Sequence, residues 1–173
     1  GTQYRPHLGM ATIDAVTRER RPIEQPPPVS MGYKPSHVEA VRRAMVGVTQ
    51  GGTSTRVFAG AGYVSGGKTG TAQAVTIGQK DKYNAARLQE RQRDHSLYIA
   101  FAPADNPQIA VAVIVENAGF GGAHAAPIAR RVFDYWLLGQ YPSEQDIAAM
   151  RKGQAMAPIG QPRAVAEISL PER

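Results

Sequence analysis

The sequence predicts an antiparallel α+β fold, and three observations carry that expectation. Two apolar runs of strand length, residues 96–102 and 109–115, flank a short segment bracketed by Pro103 and Pro107. Apolar residues at helical spacing run from Val38 to Val48. A Thr- and Val-rich run, residues 68–77, lies between that helix and the two strands. The order helix, strand, long loop, hairpin, helix suits an antiparallel sheet, because parallel strands need a long crossover between each pair.

Residues 1–35 read as irregular, with one short strand expected over Thr12–Val16. Pro26-Pro27-Pro28 forces extended backbone and ends any regular element there. The first helix has Ser36 as a candidate N-cap with Glu39 three residues on, the capping-box spacing. Val38, Val41, Met45 and Val48 make its apolar face, and Gly51-Gly52 supplies the stop. Residues 53–67 are rich in Gly and Ser. The β-branched residues of 68–77 favour a strand. The polar stretch 78–95 reads as a long connection, in which residues 85–93 have helical character. Both parities of 109–115 are apolar, which predicts a central strand covered on both faces. The last helix is expected to open near Pro127, with Ile128, Val132, Tyr135 or Trp136, and Leu138 as its stripe and Gly139 as its stop. Beyond Tyr141, short Ala/Met stretches alternate with Pro, Gly, Gln and charge. Residues 141–173 are therefore expected to be a largely disordered tail behind a domain spanning 1–140. Three strands with only two or three helices also predict that one sheet face lacks a cover.

Composition narrows the function. The chain has 173 residues, about one domain, and 42% of them are hydrophobic, enough for a core. The net charge of +6 comes from diluted pairs such as Arg42-Arg43 and Arg130-Arg131. A nucleic-acid footprint would be a denser stripe with interleaved aromatics, so no nucleic-acid partner is expected. A solvated basic surface fits, as does an anionic partner such as a carboxylate-bearing substrate or a membrane surface. Cysteine is absent, which excludes disulfides, thiolate metal sites and a Cys nucleophile. No apolar run is long enough to span a bilayer, and the first residues lack the pattern of a signal peptide.

The chemistry concentrates in residues 62–73, where three readings compete. Gly62 to Thr69 matches G-x-x-x-x-G-K-[ST] letter for letter, but a phosphate loop needs a strand before it and a helix after it. The residues that follow, Gly70, Val75, Thr76, Ile77 and Gly78, are poor helix formers. Ser65 and Lys68 fit S-x-x-K, yet the two glycines between them oppose the helix that would hold such a pair together. In the third reading, Lys68-Thr69-Gly70 is a strand lining a site. Alternation puts Lys68 and Gly70 on one side, Thr69 and Thr71 on the other. Lys68 supplies a fixed cation, and the two threonine hydroxyls can donate to a carboxylate. Gly70 lets a ligand approach the backbone, and the Thr71 N–H can stabilise an oxyanion. The plain alternative is a Gly/Thr-rich strand with a surface lysine.

The wider pattern includes Gly67-Lys68-Thr69-Gly70-Thr71-Ala72-Gln73, Lys82-Tyr83-Asn84-Ala85 and Arg93-Asp94-His95-Ser96-Leu97. It continues with Ala100-Phe101-Ala102-Pro103, then Asn106 to Val113, then Val115-Glu116-Asn117. In this order the blocks resemble the C-terminal part of the transpeptidase domain of class B penicillin-binding proteins, in their elongation-type branch. The resemblance runs over residues 1–140 and is most specific over 63–139. It implies a penicillin-binding, β-lactamase-like fold and a serine D,D-transpeptidase that cross-links peptidoglycan stem peptides ending in D-Ala-D-Ala. It also implies covalent inhibition by β-lactams, no cofactor, and a place at the periplasmic face of the bacterial inner membrane. The implied partners are a SEDS-family glycan polymerase and rod-complex scaffold proteins. Of the three family motifs, S-x-x-K, S-x-N and K-[ST]-G, only the third stands here, at Lys68-Thr69-Gly70. No Ser precedes an Asn by two positions, and the one S-x-x-K string overlaps the third motif.

Carried over by position, Lys68 raises the local positive potential and hydrogen-bonds the Ser of the S-x-N motif. Thr69 and Thr71 bind a carboxylate, and the Thr71 N–H is half of an oxyanion hole. The chain alone is expected to be inactive for want of a nucleophile. His7, His37, His95 and His124 do not show metal-ligand spacings. His95 is expected to be a structural hydrogen-bonder, Glu116-Asn117 a strand-end turn, and Arg87, Arg91 and Arg93 parts of a solvated connection. A phosphate-loop nucleotide module, or a non-catalytic interaction domain on the same scaffold, remain the alternatives.

Overall fold

The computed structural model describes residues 1–75, 84, 88–154 and 156–168. They form two compact units, Gly1–Val41 and Arg42–Arg173.

The first unit is more regular than its composition suggests. Strands β1 (Thr2–Gln3) and β4 (Val29–Ser30) pair antiparallel, as do β2 (Ala11–Ile13) and β3 (Arg20–Pro22). The strand expected over Thr12–Val16 thus begins one residue earlier and stops at Ile13. Asp14 ends it, because its carboxylate accepts the Val16 and Thr17 N–H groups at 2.8 and 2.7 Å, an Asx turn. Helix α1 (Pro35–Gln50) runs from this unit into the next. Pro35 takes its first position, where a missing N–H costs nothing, so Ser36 lies inside the first turn and does not cap it.

The second unit is built on a three-stranded sheet in the order β5 (Gly66–Ala72), β6 (His95–Ala102), β7 (Ile109–Val115). The expected antiparallel hairpin is present as β6 and β7, with Ala102 opposite Ile109. β7, expected as a central strand, is at the edge, and β6 is central. Ala110 and Ala112 of β7 explain the misleading pattern: they count as apolar but are small and lie exposed. Register sorts the sheet into two faces. Tyr98, Ala100 and Ala102 are buried beneath helix α3 (Gly121–Leu138), together with Ala125, Ala126, Ala129 and Phe133, and with Val57 and Phe58 of the short helix α2 (Thr55–Phe58). Burial of Phe133 or Val57 contributes about 1.5–3 kcal/mol each. The opposite face carries Leu97, Ile99, Phe101 and Ile114, and it is open, with Ile99 53% and Ile114 60% exposed.

α3 begins six residues before the expected start, with Pro127 inside it. Its N-terminal turn is short-chained because it docks on backbone: a Cβ at Gly121 would collide with the Leu97 and Gly70 carbonyl oxygens. Its buried apolar side chains are Ala125, Ala126, Pro127, Ala129 and Phe133. The residues expected there, Ile128, Val132, Tyr135, Trp136 and Leu138, are all partly exposed. Gly139 ends the helix as expected, in the left-handed conformation at φ 60°.

The segment 85–93 shows a single 3-10 turn at Glu90–Gln92, while residues 85–87 lie outside the described ones. Of the tail expected to be disordered over 141–173, the described residues 141–154 and 156–168 carry regular structure, and residues 155 and 169–173 lie outside the described ones. Strand β8 (Gln140–Tyr141) pairs with β9 (Arg163–Ala164), and between them runs helix α4 (Glu144–Arg151). Composition misled because this segment is held by specific polar contacts more than by apolar bulk. Ser143 caps α4 by accepting the Asp146 N–H, and its hydroxyl donates to the Ile159 carbonyl at 2.6 Å.

Candidate functional site

β5 is an edge strand, and its glycines are explained by its neighbours. A Cβ on Gly66 would stand 2.6 Å from the Phe101 ring, and one on Gly67 would strike the Tyr98 phenol. The strand can lie this close only without side chains there. The next residues emerge at the rim. Lys68 is exposed, and its ammonium donates to the Thr69 carbonyl at 2.6 Å. Thr69 is half-buried opposite Tyr98, and Thr71 is exposed opposite Ser96. The extended run of Lys68, Thr69, Gly70 and Thr71 along the sheet edge agrees with the strand reading. Gly70 also has a packing reason: a Cβ there would sit 3.1 Å from the Leu97 Cβ.

That geometry disposes of two competitors. A phosphate loop needs Lys68-Thr69 to open a helix, and both lie in mid-strand instead. Ser65 and Lys68 are three residues apart along extended chain, about 10 Å, and face opposite ways, so they make no nucleophile pair.

The rim has neighbours that sequence reasoning did not single out. Thr53, in the turn after α1, places its hydroxyl 3.0 Å from that of Thr69. The adjacent Ser54 is buried, and its hydroxyl meets the Tyr98 phenol at 2.9 Å and donates to the Val48 carbonyl at 3.1 Å. After Gly51-Gly52 these residues read as ordinary turn formers, and no spacing signal marks them. The connection from β7 to α3 closes the other side. Asn117, at φ 58°, donates its N–H to His95 Nδ1 at 3.0 Å, and the Gly119 N–H donates to the Asp94 carbonyl at 2.7 Å. His95 is therefore the structural hydrogen-bonder its position suggested, and Glu116-Asn117 the expected strand-end turn. Ser96, fully buried, donates to the Phe120 carbonyl at 3.2 Å and accepts the Ala125 N–H at 3.1 Å. Phe120 is left 61% exposed beside the helix start.

Behind the sheet, Tyr63 donates to Asp134 at 2.8 Å, and Arg130 grips both oxygens of that carboxylate. Burial and the Asp134 charge push the Tyr63 phenol far above its ordinary value. Burial likewise raises Tyr98, against the opposing effect of its hydrogen bond with Ser54. Arg91 is exposed and Arg93 half-buried, whereas Arg87 lies outside the described residues. Among the described residues, no three His, Asp or Glu side chains are grouped to hold a metal.

Comparison with known proteins shows the family and the fold. Residues 1–134 match the family model of the penicillin binding protein transpeptidase domain. The chain is 42% identical over 142 residues to the peptidoglycan D,D-transpeptidase MrdA of Haemophilus influenzae, covering 79% of this chain and 21% of that protein. Among solved structures it is similar to Pseudomonas aeruginosa PBP2 in complex with WCK 5153, with TM-score 0.54, 38% identity, and 68% and 24% of the two chains covered. It is also similar to the imipenem acyl-enzyme of penicillin-binding protein A from M. tuberculosis, with TM-score 0.58, 30% identity, and 79% and 27% covered. The chain thus spans about a fifth of the length of the curated relative.

Proposed function

Because this chain belongs to the penicillin-binding-protein transpeptidase family, we propose that it supplies the Lys-Thr-Gly wall of a peptidoglycan D,D-transpeptidase site within a longer protein. In that reaction a serine outside this segment attacks the penultimate D-Ala carbonyl of a stem peptide. The terminal D-Ala leaves, and an amine of a second stem takes the acyl group from the serine. The residues here do the binding and the charge work. The hydroxyls of Thr69 and Thr71 donate to the C-terminal carboxylate of the stem or of a β-lactam. The Thr71 N–H is one donor of the oxyanion hole, where loss of a single donor costs about 10²–10³ in rate. Lys68 holds positive charge beside both and hydrogen-bonds the Ser of the S-x-N motif.

One observation carries this reading: Lys68, Thr69 and Thr71 stand in extended order on the open edge of the sheet, with the ammonium folded against Thr69. The open apolar face at Leu97, Ile99 and Ile114 supports a longer protein, since further chain would cover it. Location at the periplasmic face of the inner membrane belongs to the same proposal, as does assembly with a SEDS-family polymerase and rod-complex scaffold proteins.

The test is labelling by fluorescent penicillin. The complete protein is expected to form a covalent adduct, Lys68→Ala to lose most of it with the melting temperature unchanged, and the 173-residue chain alone to form none. Undiminished labelling of K68A would refute the role of Lys68. Failure of the complete protein to label would favour an interaction domain that kept the scaffold and lost the chemistry.

A further inference from the structure

We propose that Thr53 is a positioning residue for the Thr69 hydroxyl and thereby sets affinity for ligands that end in a carboxylate; the proposal rests on the reading of Thr69 given above. The two hydroxyl oxygens are 3.0 Å apart, and Thr53 is exposed while Thr69 is half-buried. The turn that carries Thr53 is pinned. Ser54, its neighbour, is buried against the Tyr98 phenol and the Val48 carbonyl, and the Ser54 N–H also donates to Val48 at 3.1 Å. Tyr98 is the cross-strand partner of Thr69. Two successive turn residues therefore hold two facing strand residues. On the far side, a Cβ at Gly122 would lie 2.9 Å from the Thr53 carbonyl oxygen, so α3 backs the turn closely.

Proton counting gives this pair a direction. Each hydroxyl has one proton to donate, and a carboxylate only accepts. Once an anion takes the Thr69 proton, Thr53 is left to donate its own to the Thr69 oxygen. That second bond polarises the Thr69 O–H toward the ligand and holds its rotamer.

The experiment measures the concentration dependence of fluorescent-penicillin acylation in the complete protein, for wild type, T53V, T53S, T69V and T53V/T69V. Valine keeps the shape of Thr53 without the hydroxyl. T53V is expected to raise the half-saturating concentration about tenfold, the size of a hydrogen bond lost beside a charged group. Its melting temperature stays unchanged, T53S restores wild-type binding, and T53V adds nothing on top of T69V. Wild-type binding by T53V, or losses that add in the double variant, would overturn the positioning role while leaving the Thr69 reading intact. Wild-type binding by T69V would instead overturn the reading of Thr69, and this inference with it.

Discussion

Arg131 and Asp146, fifteen residues apart, form a buried ion pair in which Nη2 meets Oδ1 at 2.6 Å and Nε meets Oδ2 at 2.9 Å. Asp146 has no exposed surface, and Arg131 is 9% exposed. This pair fastens α4 to α3, and Arg163–Glu144 and the Arg163 guanidinium over the Tyr141 ring hold the returning strand. The C-terminal extension is thus a clasp on the helix that backs the sheet.

The clasp should be sensitive to loss of one partner. Asp146→Ala leaves a buried guanidinium without its anion and is expected to destabilise by about 3–5 kcal/mol. Ending the complete protein before Ser143 removes the same carboxylate and should lower the unfolding midpoint comparably. Denaturant unfolding of the two variants checks this, and a wild-type midpoint in either would contradict it.

Gly67 and Tyr98 make a second dependence, and both are buried. A methyl group at Gly67 would overlap the Tyr98 phenol, which is fully buried and held by Ser54. Gly67→Ala is expected to cost about 1–3 kcal/mol by overpacking. The cost should shrink in a Tyr98→Leu background, where the ring is gone. A double-mutant cycle on melting curves measures the coupling, and additive losses would show that the ring gives way without strain.

Alkaline stability should report on Tyr63. Burial and the Asp134 carboxylate raise its phenol above the ordinary 10.0, so the folded state keeps a proton that the unfolded chain gives up. A raised folded value means the contribution is whole below the unfolded value and is lost as pH climbs beyond it. Wild type should therefore lose stability above about pH 10 more steeply than Tyr63→Phe, which has no proton to lose. The phenolate absorbance of Tyr63, taken as the wild-type minus variant difference, should rise only with unfolding.

Much of the candidate site was legible in the amino-acid order. The hairpin expected from strands at 96–102 and 109–115 followed from apolar runs and turn residues, and the strand expected over 68–77, of which 68–72 lie in β5 and 76–77 outside the described residues, from β-branched residues around Lys68-Thr69-Gly70. Those signals are local, because strand propensity, turn chemistry and a short motif depend on adjacent residues. Long-range contacts decided the rest. Thr53 comes to Thr69 only because Ser54 docks on Tyr98, and no spacing encodes that meeting. The start of α3 moved to Gly121 because bare backbone at Gly70 and Leu97 accepts a glycine turn, which outweighs the local preference of Pro127 for a first position. Helix α4 forms beyond Tyr141 because Asp146 finds Arg131 across the chain, a buried charge pair that composition cannot reveal. Periodicity and motif thus named the elements and the strand of the candidate site, whereas packing between distant residues chose which faces are buried and which side chains meet.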